Sequence, residues 1–329
     1  MKYRTLLRYA RFTAILAVIM VCVVPASPAG EVEVLTVLNT DSGLSGNRVN
    51  GLAPDRGFGV FVATDGGLHV FSDYVYLPIF QRMEAFMITG GSDRTLWALI
   101  DEPSLYRVRT DDDMWLADRI PRPEGATTVT SLTSLDDSLF IATDTGLFFI
   151  SDTEDFYHPV LTDVAAITAM TFAHDGTLAV AMTDTEKGAP GLKIIGGELF
   201  GWSGWVPRLP DHPITALTIT PDALFAGTNN GELFRIDRAG VSRIYLSPDI
   251  LRAHFPGQIN DIMADEGLLY VATENGLYIG DPDSDSITIA FNNDAPLADG
   301  FTCLSPGPGL AVWAGTKSNG VYLITYRGD

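Results

Sequence analysis

The sequence predicts an all-β protein, a seven-bladed β-propeller of four-stranded blades closed by the N-terminal strand completing the last blade. A hairpin motif recurs every 36 to 45 residues, and a second motif precedes it at a nearly fixed distance. A strand-like segment near the start supplies the one strand that the last unit lacks. Four short strands in about 40–45 residues is the period of a propeller blade.

The first 29 residues read as a secretory signal. Lys2, Arg4, Arg8 and Arg11 precede an apolar run from Phe12 to Val24, and small residues follow in Val24-Pro25-Ala26 and Ser27-Pro28-Ala29. That run falls short of the roughly 20 residues a bilayer-spanning helix needs. The expected organisation is therefore a signal peptide at 1–29 and the propeller at 30–329. The mature chain is expected to have no transmembrane segment, to be exported to the periplasm or beyond, and to be a monomer. Cys22 falls within the leader, so Cys303 can form no internal disulfide. Its apolar strand context, Phe301-Thr302-Cys303-Leu304, predicts a buried, inert thiol.

After the leader, Glu31 to Leu38 alternates at the strand period, and pairing with Val321–Tyr326 would close the ring. The hairpin motif then appears as Val60-Phe61-Val62-Ala63-Thr64-Asp65-Gly66-Gly67-Leu68, with copies ending at Leu147, Gly231, Leu277 and Val321. Weaker copies start at Leu96 and Leu178, which makes seven. A small residue (Ala63, Ala142, Gly227, Ala272, Gly315) precedes the Thr and allows close approach of a neighbour. The polar residues and Gly after it supply a tight turn. The second motif is Val49-Asn50-Gly51-Leu52, Val129-Thr130-Ser131-Leu132, Ile167-Thr168-Ala169-Met170, Ile214-Thr215-Ala216-Leu217, Ile259-Asn260-Asp261-Ile262 and Phe301-Thr302-Cys303-Leu304. In the second unit Ala85-Phe86-Met87-Ile88 fills the slot without the polar residue. Between each hairpin and the next motif there is room for one further strand.

Asp41-Ser42-Gly43-Leu44-Ser45-Gly46-Asn47-Arg48-Val49, followed by the hairpin through Leu68, resembles the two-component regulator propeller repeat. The resemblance is strong in the first, third, fifth, sixth and seventh units. It implies a periplasmic, sensor-type propeller, here expected to be free-standing because no kinase or DNA-binding segment follows it. The fold transfers on such grounds more safely than the role.

The 329 residues are 46% hydrophobic and 19% charged, ample for a packed core. The net charge of −20 repels phosphate backbones, so no nucleic-acid partner is expected. The five histidines fall in different units without metal-ligand spacing and read as surface or turn residues. No nucleophile elbow, Walker loop or dinucleotide fingerprint is present, and no cofactor is expected. Asp281, Asp283 and Asp285 alternate as in hard-cation loops. They lack the sixth-position Gly, and Asn292 stands where a bidentate Glu belongs, so a solvated acidic turn is expected rather than calcium. Trp202 and Trp205 are candidates for an aromatic platform or for strand packing. The insertion Asp184–Pro190 is a candidate contact loop. With the second motif innermost, Asn50, Thr130, Thr168, Thr215, Asn260 and Thr302 form a polar ring at the channel mouth. They are placed either to bind a ligand or to satisfy neighbouring backbone and channel water.

These readings point to a non-catalytic binding or sensing protein for a glycan, a peptide or a partner protein. The alternatives are an envelope assembly scaffold and a propeller lyase or hydrolase using channel carboxylates.

Overall fold

The computed structural model describes residues 31–55, 59–72, 75–90, 95–101, 104–111, 114–136, 138–162, 164–183, 189–206, 209, 212–246, 255–284, 286–292 and 295–327. The segment expected to be a signal peptide and most of the insertion after Thr183 lie outside them.

Apart from one short 3-10 turn at Thr40–Ser42, the described regular structure is all strand. β1 (Val32–Leu38) leads into a meander of β2 (Val49–Pro54), β3 (Val60–Thr64), β4 (Gly67–Ser72) and β5 (Val75–Gln81). The next sheet is β6 (Ala85–Gly90), β7 (Thr95–Ile100), β8 (Ser104–Asp111) and β9 (Met114–Ile120). Then come β10 (Val129–Leu135), β11 (Ser138–Thr143), β12 (Gly146–Ser151) and β13 (His158–Thr162). A fourth set is β14 (Ala165–Phe172), β15 (Leu178–Thr183), β16 (Pro190–Leu199) and β17 (Trp202–Trp205). β18 (Ile214–Ile219), β19 (Leu224–Thr228), β20 (Leu233–Asp237) and β21 (Gly240–Leu246) precede β22 (Ile259–Asp265), β23 (Leu268–Thr273), β24 (Gly276–Gly280) and β25 (Ser286–Ile289). After the small pair β26 (Phe291–Asn292) and β27 (Ala295–Pro296), the chain ends in β28 (Phe301–Pro306), β29 (Ala311–Thr316) and β30 (Val321–Tyr326). β1 pairs antiparallel with β30, from Val32 opposite Tyr326 to Leu38 opposite Val321, so the two ends of the described chain share one sheet.

The expected seven separate four-stranded blades are not what forms. Five sheets have four strands, while β18 to β25 make a single eight-stranded sheet. The join is a parallel pairing of β21 with β25, Tyr245 beside Ser286 and Leu246 beside Ile287. β25 pairs with β24 at only two positions, Ile289 with Tyr278 and Thr288 with Ile279, and its first two residues pair with β21. Arg235 on β20 also reaches the turn that precedes β25. Its guanidinium donates to Pro282 O at 3.0 Å and meets the Asp283 carboxylate at 3.0 Å. The end strands of that sheet, β18 and β22, come side by side without a backbone ladder between them, so the sheet nearly closes on itself. The result is a propeller-like ring in which β2, β6, β10, β14, β18, β22 and β28 pack in that order, and β28 returns to β2.

The core lies between neighbouring sheets. Leu192 and Ile194 of one sheet pack with Ile214 and Leu224 of the next, and Val62 packs with Trp313 across the junction of the chain ends. Burial of this kind contributes about 25 cal/mol per Å² of apolar surface. Close approach explains the small residue before each motif Thr. A Cβ on Gly315 would lie 2.6 Å from both Cys303 Sγ and Val49 Cγ1, and one on Gly227 would lie 2.5 Å from Ile259 Cγ2. The Thr itself is fully buried and ties its own turn. Thr64, Thr143 and Thr273 donate to the Gly carbonyl three residues on, at 3.0, 3.1 and 3.0 Å. Where the turn is one residue longer, Thr228 and Thr316 reach the fourth residue instead.

Candidate functional site

Each inner strand begins with the same irregularity. The register shifts by one residue at Asn50, Phe86, Thr130, Thr168, Thr215, Asn260 and Thr302. A bulge re-aims the side chain of the extra residue, and here it turns toward the adjacent inner strand. Asn50 Nδ2 donates to Ala85 O at 2.8 Å, and Thr168 Oγ1 to Ile214 O at 2.5 Å. Thr215 Oγ1 donates to Ile259 O at 2.6 Å, Asn260 Nδ2 to Phe301 O at 2.6 Å, and Thr302 Oγ1 to Val49 O at 2.7 Å. Every acceptor is the first residue of the next inner strand. Five of the six polar ring residues thus latch neighbouring strands, each bond contributing about 1 kcal/mol. Thr130 differs: its buried hydroxyl has no partner among the described residues.

Asn50, Thr130, Asn260 and Thr302 line one cavity of about 270 Å³, together with Gly51, Met87, Ser131, Asp261 and Cys303 among others. Thr168 and Thr215 do not border it. Among the described residues Asp261 is the one charged residue of that lining. Its Oδ1 accepts from Ile262 N at 2.8 Å, and its Oδ2 accepts from Leu304 N on β28 at 2.7 Å. Burial pushes its carboxyl up to about 6, with the two amides pulling the other way. Cys303 beside it is buried, and burial pushes its thiol up to about 12. It carries no thiolate to act as a nucleophile.

Asp261 was not among the residues that sequence reasoning picked out, yet a signal existed. The third residue of the recurring motif is Gly51, Met87, Ser131, Ala169, Ala216 or Cys303 elsewhere, and a carboxylate only at 261. His69 was also misread. It is buried in β4 rather than on the surface, with Nε2 accepting from Ser45 N at 3.2 Å and lying 2.6 Å from Ser45 Oγ. Burial holds the imidazole below its usual range, hence neutral, and it pins the Ser45 loop.

The other sequence candidates separate. Burial alternates along β17, so Trp202 and Trp205 face opposite ways and cannot form one platform. Trp202 packs into the core between sheets and donates Nε1 to Asp237 O at 3.1 Å, while Trp205 lies outside with the Lys193 ammonium 5.8 Å from its ring. Asp281 Oδ1 accepts from Asp283 N at 2.8 Å, closing its own turn, and Asp283 pairs with Arg235. Asp285 lies outside the described residues. Among the described residues no cluster of three or more His, Cys, Asp or Glu could hold a metal ion, and no helix is long and apolar enough to cross a membrane.

No protein-family model matches the sequence, and no curated protein does. Solved structures share the fold. A chain described as the extracellular domain of a one-component system from B. thetaiotaomicron matches with a TM-score of 0.65 at 15% identity, over 90% of this chain and 40% of that one. A streptogramin B lyase matches with 0.66 at 12% identity, over 92% and 99%. YCF48 bound to D1 peptide matches with 0.64 at 14% identity, over 92% and 98%. The chain spans about two fifths of the length of the sensor-type extracellular domain it matches. At these identities the likeness carries the fold alone, and the three differ in role.

Proposed function

We propose that this chain is an exported, non-catalytic binding module that takes a glycan, a peptide or a segment of a partner protein at the mouth of its channel. The observation that carries this reading is the polar cavity between the inner strands, with its anchored carboxylate. A few precisely placed polar groups in a concavity fix a ligand's orientation. The likeness to extracellular domains of one- and two-component systems supports a sensing use. Screening the purified protein against a glycan array and a peptide library is expected to yield a ligand that protects the amides of 50–52, 260–262 and 302–304 from hydrogen exchange. Protection confined to the outer strands sinks the channel reading. Turnover of a glycan or ester, abolished by one carboxylate substitution, sinks the non-catalytic one.

A further inference from the structure

We infer that the channel site selects an organic cation, presented as the ammonium or guanidinium head of a lysine or arginine side chain in a peptide. The inference rests on the reading that the ligand enters the channel, and it names that ligand's chemistry. The latches commit donors at this cavity: Asn50 Nδ2, Asn260 Nδ2 and the Thr302 hydroxyl all point at neighbouring carbonyls. Their oxygens remain as acceptors. Among the described residues no lysine, arginine or histidine lines the cavity, and Asp261 supplies the formal charge.

That carboxylate is held from both sides by the amides of Ile262 and Leu304, so it is fixed in place before any ligand arrives. Two neutral amides orient a carboxylate without cancelling its charge. Among the described residues no charged side chain acts on it. Cys303, the titratable neighbour on β28, stays neutral, and β18 and β23, which also pack against β22, bring it no charge. A desolvated anion without a cation is the costly half of a buried pair. An entering ammonium completes that pair and can donate further bonds to the Asn oxygens. The net charge of −20 draws cations toward the molecule as a whole.

Amide resonances of Ile262 and Leu304 report directly on the carboxylate, and can be followed by NMR while n-butylammonium or n-butylguanidinium is added. Saturable shifts are expected with either cation, but not with butyrate or butyramide. Asp261→Asn, which keeps the size and one acceptor, is expected to weaken binding at least tenfold. Should that variant not fold, the wild-type protein gives the same answer through pH. Affinity is expected to fall at least fivefold between pH 7.5 and pH 5 as the carboxyl takes up its proton. Equal affinity in Asp261→Asn, or a flat pH profile, overturns the inference. If butyramide or an oligosaccharide moves these amides and the cations do not, the cation inference falls and channel binding stands. If no probe moves them, both fall.

Discussion

The arc of the ring from β14 through β18, β22, β28 and β2 to β6 differs from the two junctions that flank β10. Every junction of the arc carries a side-chain bond from the bulged residue to the next inner strand. At β10 both are missing: Phe86 has no donor to give, and the Thr130 hydroxyl finds no carbonyl among the described residues. β6 and β10 are joined at their other ends instead, where Ser134 Oγ donates to Gly90 O and lies 3.1 Å from Thr89 Oγ1. One bulge geometry therefore has two uses. In the arc it closes the ring, and at β10 it leaves a buried hydroxyl with no partner among the described residues.

The largest effect is expected from cutting the arc twice. Thr215→Val with Thr302→Val keeps the branched shape, removes two bonds and leaves two carbonyls short of a partner. The junctions are well separated, so the losses should add to about 2–4 kcal/mol in urea unfolding. A loss no greater than in either single variant would mean that the latches do not act independently. Next is the charge at the third motif position, Asp261 on the arc against neutral Ser131 on β10. The folded carboxyl lies near 6, above its unfolded value, so the folded state binds more protons between about pH 4 and 6. Stability from this group therefore rises as pH falls from 7 toward 4, and Asp261→Asn should flatten that slope while Ser131→Ala leaves it unchanged. A third measurement is native-state hydrogen exchange, where the first residues of β10 should exchange several-fold faster than those of β18. The smallest effect is expected at Thr130→Val, within about 0.5 kcal/mol of the wild type, because no bond is lost. A loss as large as that of Thr215→Val would erase the contrast between the two regions.

Much of this was legible from residue types. The alternation of Val32 to Leu38 places β1 in the last sheet, and the five buried motif threonines sit in the turns that their spacing marks. The recurring polar residue was legible in the motif, but not the direction of its side chain, because a bulge is a property of two paired strands. The same holds for the eight-stranded sheet. Nothing in Ser286–Ile289 says that it meets β21, a strand about 40 residues away in sequence.

By itself the sequence determined the all-strand character, the repeat, the hairpins and the sheet shared by the chain ends, since these follow from alternation and turn chemistry within short stretches. Only the tertiary structure decided how many separate sheets form, which polar side chains are consumed as latches, and that Asp261 carries the charge of the cavity. Those outcomes depend on groups 35 or more residues apart meeting at hydrogen-bond distance, and no local pattern encodes such distances.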